Sequence, residues 1–319
     1  MPSTTRSNFV SLAFAAAVAG SMRGAMAQGL TPIRVLGNAN DDATSLFYTM
    51  RSGLFGSAGL DVHIDPGTSG AAVAAAVAAG SYDIGKSSVN PILEAHQNGI
   101  PFAMLAPAGI QNADAPFAGL LMVKDSPIRT GADLNGQVVG LTSLSSISRV
   151  AISSWVDKNG GDWRAVKYVE ISSSEAPGAV AQKRVVAAEC GQPLLQSVLD
   201  GGTFRLLPAY EAIAPRFLLT TWFTTKDWSA KHPDAARAFA RVVARAATYT
   251  NAHHAETVAM MAEVSHVDAA VIAKMQRVVD GTVLEPGLLQ PTIDASAKYG
   301  TLKAAFPARE IIDPNALTR

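Results

Sequence analysis

Residues Gly80 to Ser87 read GSYDIGKS: Gly, four residues, then Gly-Lys-Ser. A phosphate-binding loop uses this spacing, with backbone N–H groups cradling phosphates and the lysine reaching the outer ones. That chemistry needs a strand before the first glycine and a helix after the motif. Here the order is inverted. The preceding GTSGAAVAAAVAAG is Ala-rich and helical, with Ser69 placed to cap its start and Gly80 to end it. The strand, Ser81-Tyr82-Asp83-Ile84, lies inside the motif. The nucleotide reading is set aside. What remains is a strand ending at Gly85, a short polar loop, and a helix with Asn90 as N-cap and Pro91 as first helical residue. Strand ends of open α/β sheets face the ligand crevice. Ser87, Ser88 and the N–H groups of a helix start suit a small anion or a carbonyl. An ordinary capped turn would carry the same residues.

Other reactive residue types form no catalytic pattern. His253 and His254 are adjacent, so on a helix they point about 100° apart and do not share a metal. His63, His96, His232 and His266 are isolated, and neither His-Glu-x-x-His nor Gly-x-Ser-x-Gly occurs. Cys190 is the single cysteine, which excludes an intramolecular disulfide and a thiolate cluster. Its default reading is a buried small hydrophobe. Catalytic residues, metals and cofactors are therefore expected to be absent. Asp41 and Asp42 could cap a helix or receive an amine. Lys86 and Arg149 could meet a carboxylate or sulfonate.

The elements that must position these residues follow from the pattern. The chain has 319 residues, 26 basic and 26 acidic, with 48% hydrophobic and 16% charged content. The charge balance gives no reason to expect a nucleic acid or an anionic membrane as partner. Residues 1–27 read as a cleaved export signal: Arg6, then the apolar Phe9 to Met22, then Ala25-Met26-Ala27 before Gln28. No later stretch has the roughly 18 apolar residues of a membrane span. From Pro32, strands alternate with helices: PIRVLG, a helix from Ala43 to Phe55, DVHI, the Ala-rich helix, YDIG, the helix from Pro91, and PFAMLAP. This rhythm predicts a mostly parallel sheet. A second series starts at Gly136, with GQVVGLT, the loop Thr142 to Ser146, a helix bearing Ile147, Val150, Ala151 and Trp155, then VKYVEIS, VVAAE and FRLLP. Two strands, 118–124 and RFLLTTWFTT at 216–225, have no helical partner and are expected to cross between two lobes. Helices follow from Pro233, where Ser265 and Asp268 resemble a capping box. These helices are expected to pack back on the first lobe.

This arrangement resembles the type II periplasmic binding proteins, and more narrowly the nitrate/sulfonate/taurine-type substrate-binding proteins of ABC transporters, related in fold to the thiamine-pyrimidine-synthase-like proteins. Four stretches carry the resemblance: SLFYTMRSGLFGSAGLDVHI, TSGAAVAAAVAAGSYDIG, MVKDSPIRTGADLNGQVVGL and KHPDAARAFARVVARAATYTNAH. Their order and spacing, over most of residues 31 to 260, is the specific part. The resemblance implies an α/β fold of two lobes joined by two crossing strands with a ligand cleft between. With the signal-peptide pattern at 1–27 set apart, the expected division is a first lobe from 28–117 and 221–319 and a second lobe at 118–220. By position the resemblance implies a site built from Asn38, Asn40 and Asp41; Thr68 and Ser69; Ser87, Ser88 and Asn90; and Thr142, Ser145 and Ser146. Glu189 and Gln192 would close the same side, and Trp222 could offer a stacking face. The family commonly has Asp where Val186 stands and Glu where Gln192 precedes Pro193, so no one member's ligand carries over.

The expectation is a non-enzymatic, monomeric periplasmic carrier, exported by cleavage after Ala27, that takes a sulfonate, carboxylate or nitrogen heterocycle to ABC permease subunits. The alternatives are a pyrimidine-precursor synthase-like enzyme, which one cysteine disfavours because an iron motif rich in cysteine is expected there, and a periplasmic ligand sensor.

Overall fold

The computed structural model describes residues 29–318. The expected signal segment at 1–27 lies outside the described residues. No helix among the described residues is long and apolar enough to cross a membrane.

Among the described residues, thirteen strands form three sheets. They are β1 (Thr31–Leu36), β2 (Leu60–Asp65), β3 (Ile84–Ser88), β4 (Phe102–Pro107), β5 (Gly109–Asn112), β6 (Ala118–Val123), β7 (Val138–Leu141), β8 (Lys167–Glu170), β9 (Ala187–Gly191), β10 (Phe204–Leu207), β11 (Arg216–Leu218), β12 (Thr220–Thr225) and β13 (Val279–Asp280). The first sheet has the order β2-β1-β3-β12-β4 and the second β10-β6-β9-β7-β8. Read from the other edge, the second is β8-β7-β9-β6-β10. Each lobe thus places its first strand between its second and third, then a strand arriving from the other lobe, then its fourth. No sequence repeat announces this shared order.

The sheets are mixed, where the rhythm predicted mostly parallel ones. β1 runs parallel to β2 and β3, and β7 parallel to β8 and β9. The arriving strands, β12 in the first sheet and β6 in the second, run antiparallel to both neighbours. The crossings also differ from expectation. β5 and β11 make them, paired antiparallel, with β13 completing a small third sheet. RFLLTTWFTT is therefore two strands with a break at Leu219. Leu218 pairs with Ile110 in the small sheet, while Thr220 pairs with Ser88 in the first.

Side chains of β12 alternate between two cores. Trp222 packs with Phe239, Leu105 and Ile84 on one face. Phe223 packs with Phe102, Val73 and Leu289 on the other. Helix Pro233–Ala252 covers the first of these faces, as expected. Helix Pro286–Lys298 reaches further than expected. It packs on the first lobe through Leu289 and Ile293, and its end touches the second. There Lys298 Nζ lies 2.8 Å from Asp157, the Tyr299 hydroxyl donates to the same carboxylate at 2.9 Å, and Trp163 meets the Tyr299 ring edge-on.

Two local expectations are corrected. β3 is not Ser81–Ile84; it runs Ile84–Ser88, because Ser87 and Ser88 find ladder partners in Thr221 and Thr220 of a distant strand. The next helix is Val89–Gln97, so Asn90 is inside it and Ser88 holds the N-cap position. Likewise Ser265 ends helix His254–Ser265, its hydroxyl donating back to the Met261 carbonyl. His266 then turns left-handed at φ 56°, and Asp268 alone caps the next helix by accepting from the Ala270 N–H at 2.6 Å.

Candidate functional site

The carboxyl ends of β1, β2 and β3 face those of β7 and β9 across one cleft that encloses about 130 Å³. An engineered apolar cavity of about 150 Å³ takes one benzene ring, so the enclosed part is the size of a single-ring molecule. Asn38, Asn40, Thr68, Ser69, Ser87 and Ser88 line it from the first lobe, and Thr142, Glu189 and Gln192 from the second. These nine of the sequence-predicted residues are brought together.

The other five are placed elsewhere. Asp41 is buried behind the cleft. Its Oδ1 lies 2.7 Å from Arg277 Nε, and its Oδ2 accepts from the Val278 N–H at 2.6 Å. Burial pushes its carboxyl up, and Arg277 opposes that shift. Asn90 ties the lobes together. Its Nδ2 donates to the Ser145 carbonyl at 2.9 Å and to Glu94 at 2.8 Å, and its Oδ1 accepts from the Ser296 hydroxyl at 2.7 Å. Ser145 uses its carbonyl for that bond and its hydroxyl for Ser143 at 2.9 Å. Ser146 caps helix Ile147–Lys158, accepting from the Ser148 N–H, and its hydroxyl donates to Glu189. Trp222 is fully buried in core and offers the cleft no stacking face. Arg149, also considered for an acidic ligand, does not line the cleft and sits over the Tyr168 ring.

Two charged residues complete the first-lobe wall. Lys86, from the GKS stretch, forms a buried ion pair with Asp42, both side chains 4% exposed. The Thr220 hydroxyl donates to the other Asp42 oxygen at 2.6 Å. Gly37 permits the pairing, since a Cβ there would stand 2.9 Å from the Lys86 Cβ. Gly70 serves the same end beside Ser87, where a Cβ would lie 2.3 Å from the hydroxyl. Ser87 is 4% exposed and its Oγ has no hydrogen-bond partner among the described residues. Buried polar atoms are normally satisfied, so an orphan in a cleft wall is one that a ligand can satisfy.

On the second-lobe wall, Glu189 Oε2 accepts from the Thr142 N–H at 3.0 Å, the Thr142 hydroxyl at 3.0 Å and the Ser146 hydroxyl at 3.1 Å. Cys190 and Tyr210 also line the cleft but suit no covalent chemistry. Burial, with Glu189 adding, pushes the Cys190 thiol up to about 12, so the nucleophilic thiolate is suppressed. The Tyr210 hydroxyl, raised well above its usual range by burial, is bonded to Ser148. Among the described residues no three His, Cys, Asp or Glu side chains group to hold a metal ion. The polar groups lining the site are mostly hydroxyls, amides and carboxylates, which bind by hydrogen bond.

Sequence reasoning weighed Asp42 and Lys86, which do line the cleft, but left out Phe117, Ser173, Cys190, Tyr210 and Thr220. Position after a strand end could have found Ser173, which follows β8. Nothing local marks Tyr210, in the turn Ala209–Ala212, or Thr220, which opens β12 just after the return crossing.

Comparison with known proteins gives one matching family and many solved structures of similar fold. The family described as NMT1/THI5 like matches residues 40–257. No curated protein matches the chain in sequence. Among solved structures, the alkanesulfonate-binding protein SsuA from Xanthomonas axonopodis pv. citri, bound to MOPS, is 18% identical with a TM-score of 0.74, over 89% of this chain and 98% of that one. The ligand-binding component of an ABC-type import system from Staphylococcus aureus is 12% identical with a TM-score of 0.76, over 89% and 97%. The periplasmic nitrate-binding protein NrtA from Synechocystis PCC 6803 is 14% identical with a TM-score of 0.74, over 90% and 86%.

Proposed function

The chain belongs to the NMT1/THI5-like family and has the periplasmic-binding-protein fold, and from that premise we propose that it is the solute-binding component of an ABC importer. The observation that carries the reading is the two-sided cleft: Ser87 and Asn38 from one lobe face Thr142 and Glu189 from the other. A ligand touching both walls makes all its contacts only when the lobes are closed, so binding shifts the hinge equilibrium toward closure. β5 and β11 are the natural hinge, being short and the only sheet pair that runs between lobes among the described residues. We assign residues 28–117 and 221–319 to one lobe and 118–220 to the other. The closed form would present its solute to membrane permease subunits after export to the periplasm. The solute classes open to it are sulfonates, carboxylates and nitrogen heterocycles of about one ring.

A melting-temperature screen of the purified protein against these classes, nitrate and amino acids tests the reading. A true ligand raises stability by about 2.7 kcal/mol at a hundred times its Kd. The expected result is one class whose shift grows with concentration and vanishes in Ser88→Trp, which fills the cleft without touching either core. A binding curve unchanged by Ser88→Trp removes this cleft as the site. Turnover of the bound compound would replace the carrier reading with an enzyme.

A further inference from the structure

The charges of the cleft narrow the solute, taking the solute-binding reading as given. A small organic anion is held by an unpaired cation or by the free N–H groups of a helix start. In this cleft the protein's own carboxylates occupy the one cation and the donors of the second-lobe wall, while Ser69 and Gly70 bring the start of helix Gly70–Ala78 to the first-lobe wall with no carboxylate partner among the described residues. Lys86 is the only basic residue among those lining it, and Asp42 takes its ammonium. The Thr142 N–H, just past β7, and the hydroxyl of Ser146, the N-cap of helix Ile147–Lys158, are taken by Glu189. Behind the wall, Asp41 and Arg277 cancel each other. The surplus charge therefore falls on Glu189. A sulfonate or carboxylate entering beside Glu189 would face that carboxylate's negative charge with no unpaired cation among the described lining residues to offset it.

Glu189 still has accepting capacity to offer. Its Oε2 accepts three bonds of 3.0 to 3.1 Å, whereas Oε1 accepts only a 3.2 Å bond from the same Ser146 hydroxyl. Across the cleft, the orphan Ser87 hydroxyl can accept or donate. We infer that the solute is a ring-sized molecule that presents an amine, amidine or guanidine N–H head to Glu189 and carries no sulfonate or carboxylate, its far side meeting Ser87. Of the classes open to the carrier, this selects basic nitrogen compounds over organic anions.

Three probes of one shape and different charge test the inference on the unaltered full chain: benzamidine, benzamide and benzenesulfonate, read by melting temperature and calorimetry. Benzamidine is expected to bind tightest and benzenesulfonate not at all. In Glu189→Gln, benzamidine should weaken about ten- to a hundredfold, the range for a lost hydrogen bond to a charged group, and benzamide should change by less than about threefold. A shift with benzenesulfonate that equals or exceeds that with benzamidine overturns the inference and leaves the carrier reading standing. Benzamidine binding that Glu189→Gln does not weaken overturns it too. Silence from all three also overturns it, and the carrier reading is then decided by the wider screen. The ranking of the probes on the unaltered protein stands whether or not Glu189→Gln folds.

Discussion

The two walls of the cleft hold their carboxylates by different means. On the first-lobe wall each acid has a base: Asp41 with Arg277, and Asp42 with Lys86. All four side chains are at most 7% exposed. On the second-lobe wall Glu189 has no base within bonding distance among the described residues. It is half-buried and held by two hydroxyls and one backbone N–H. Buried ion pairs cost much to break, because removing one partner strands the other charge in a medium that cannot solvate it. Hydroxyls around a partly solvated carboxylate can rearrange cheaply. The first wall is therefore a preformed floor that fixes shape, and the second is the side that can respond to a ligand's charge.

The largest expected effect breaks the floor. Arg277→Met strands Asp41, and the loss should be about 3–5 kcal/mol, read by chemical denaturation at neutral pH. A cost below about 1 kcal/mol would mean that the floor is held by something other than its ion pairs. A comparable effect, of up to about 4 kcal/mol for a shift of this size, separates the walls by pH. Asp280 adjoins the floor, its carboxylate accepting from the Ser45 N–H at 3.2 Å. Burial, reinforced by Asp42 and Asp41, raises its carboxyl to about 7. A carboxyl raised in the folded state favours folding while protonated. Its contribution is complete below about pH 4, its ordinary value, and is lost as pH rises toward 7. Asp280→Asn keeps the acceptor without the charge, so the variant should gain on the parent as pH climbs from 4 to 8. An identical stability difference at pH 4 and pH 8 would show that Asp280 does not titrate with the floor.

The contrast between the walls also explains what the sequence could tell. Helix Gly70–Ala78 was legible because its signals are local: Ser69 caps it by accepting from the Ala72 N–H, and Gly80 follows at φ 72°. The serines of GSYDIGKS were legible as cleft residues because they end a strand, though the strand itself was placed too early. The floor was not legible. Asp41 and Arg277 are 236 positions apart and Asp42 and Thr220 are 178 apart, and no local pattern tells a capping aspartate from one half of a buried ion pair. Trp222 was misplaced for a related reason. A strand next to a cleft suggests an exposed face, but β12 sits between β3 and β4 with cores on both faces. The family resemblance supplied the order of elements and the two-lobed plan, since those survive at identities that erase individual contacts.

The smallest effect tests whether the floor has an opening built into it. Asp41, Arg277, Asp42 and Lys86 there are paired, yet among the described residues Ser87 Oγ, buried beside them, has no partner. Deleting an unpartnered hydroxyl removes a desolvation penalty and no bond, so Ser87→Ala should leave stability within about 0.5 kcal/mol of the parent or raise it slightly. If the hydroxyl waits for a ligand, the same change should cost affinity, by about 0.5–1.5 kcal/mol for one neutral hydrogen bond. The two readouts must therefore move apart, with denaturation unchanged and calorimetric affinity reduced. A variant that loses stability and keeps affinity would make Ser87 part of the floor. The floor would then be closed throughout, and recognition would fall to the Glu189 wall alone.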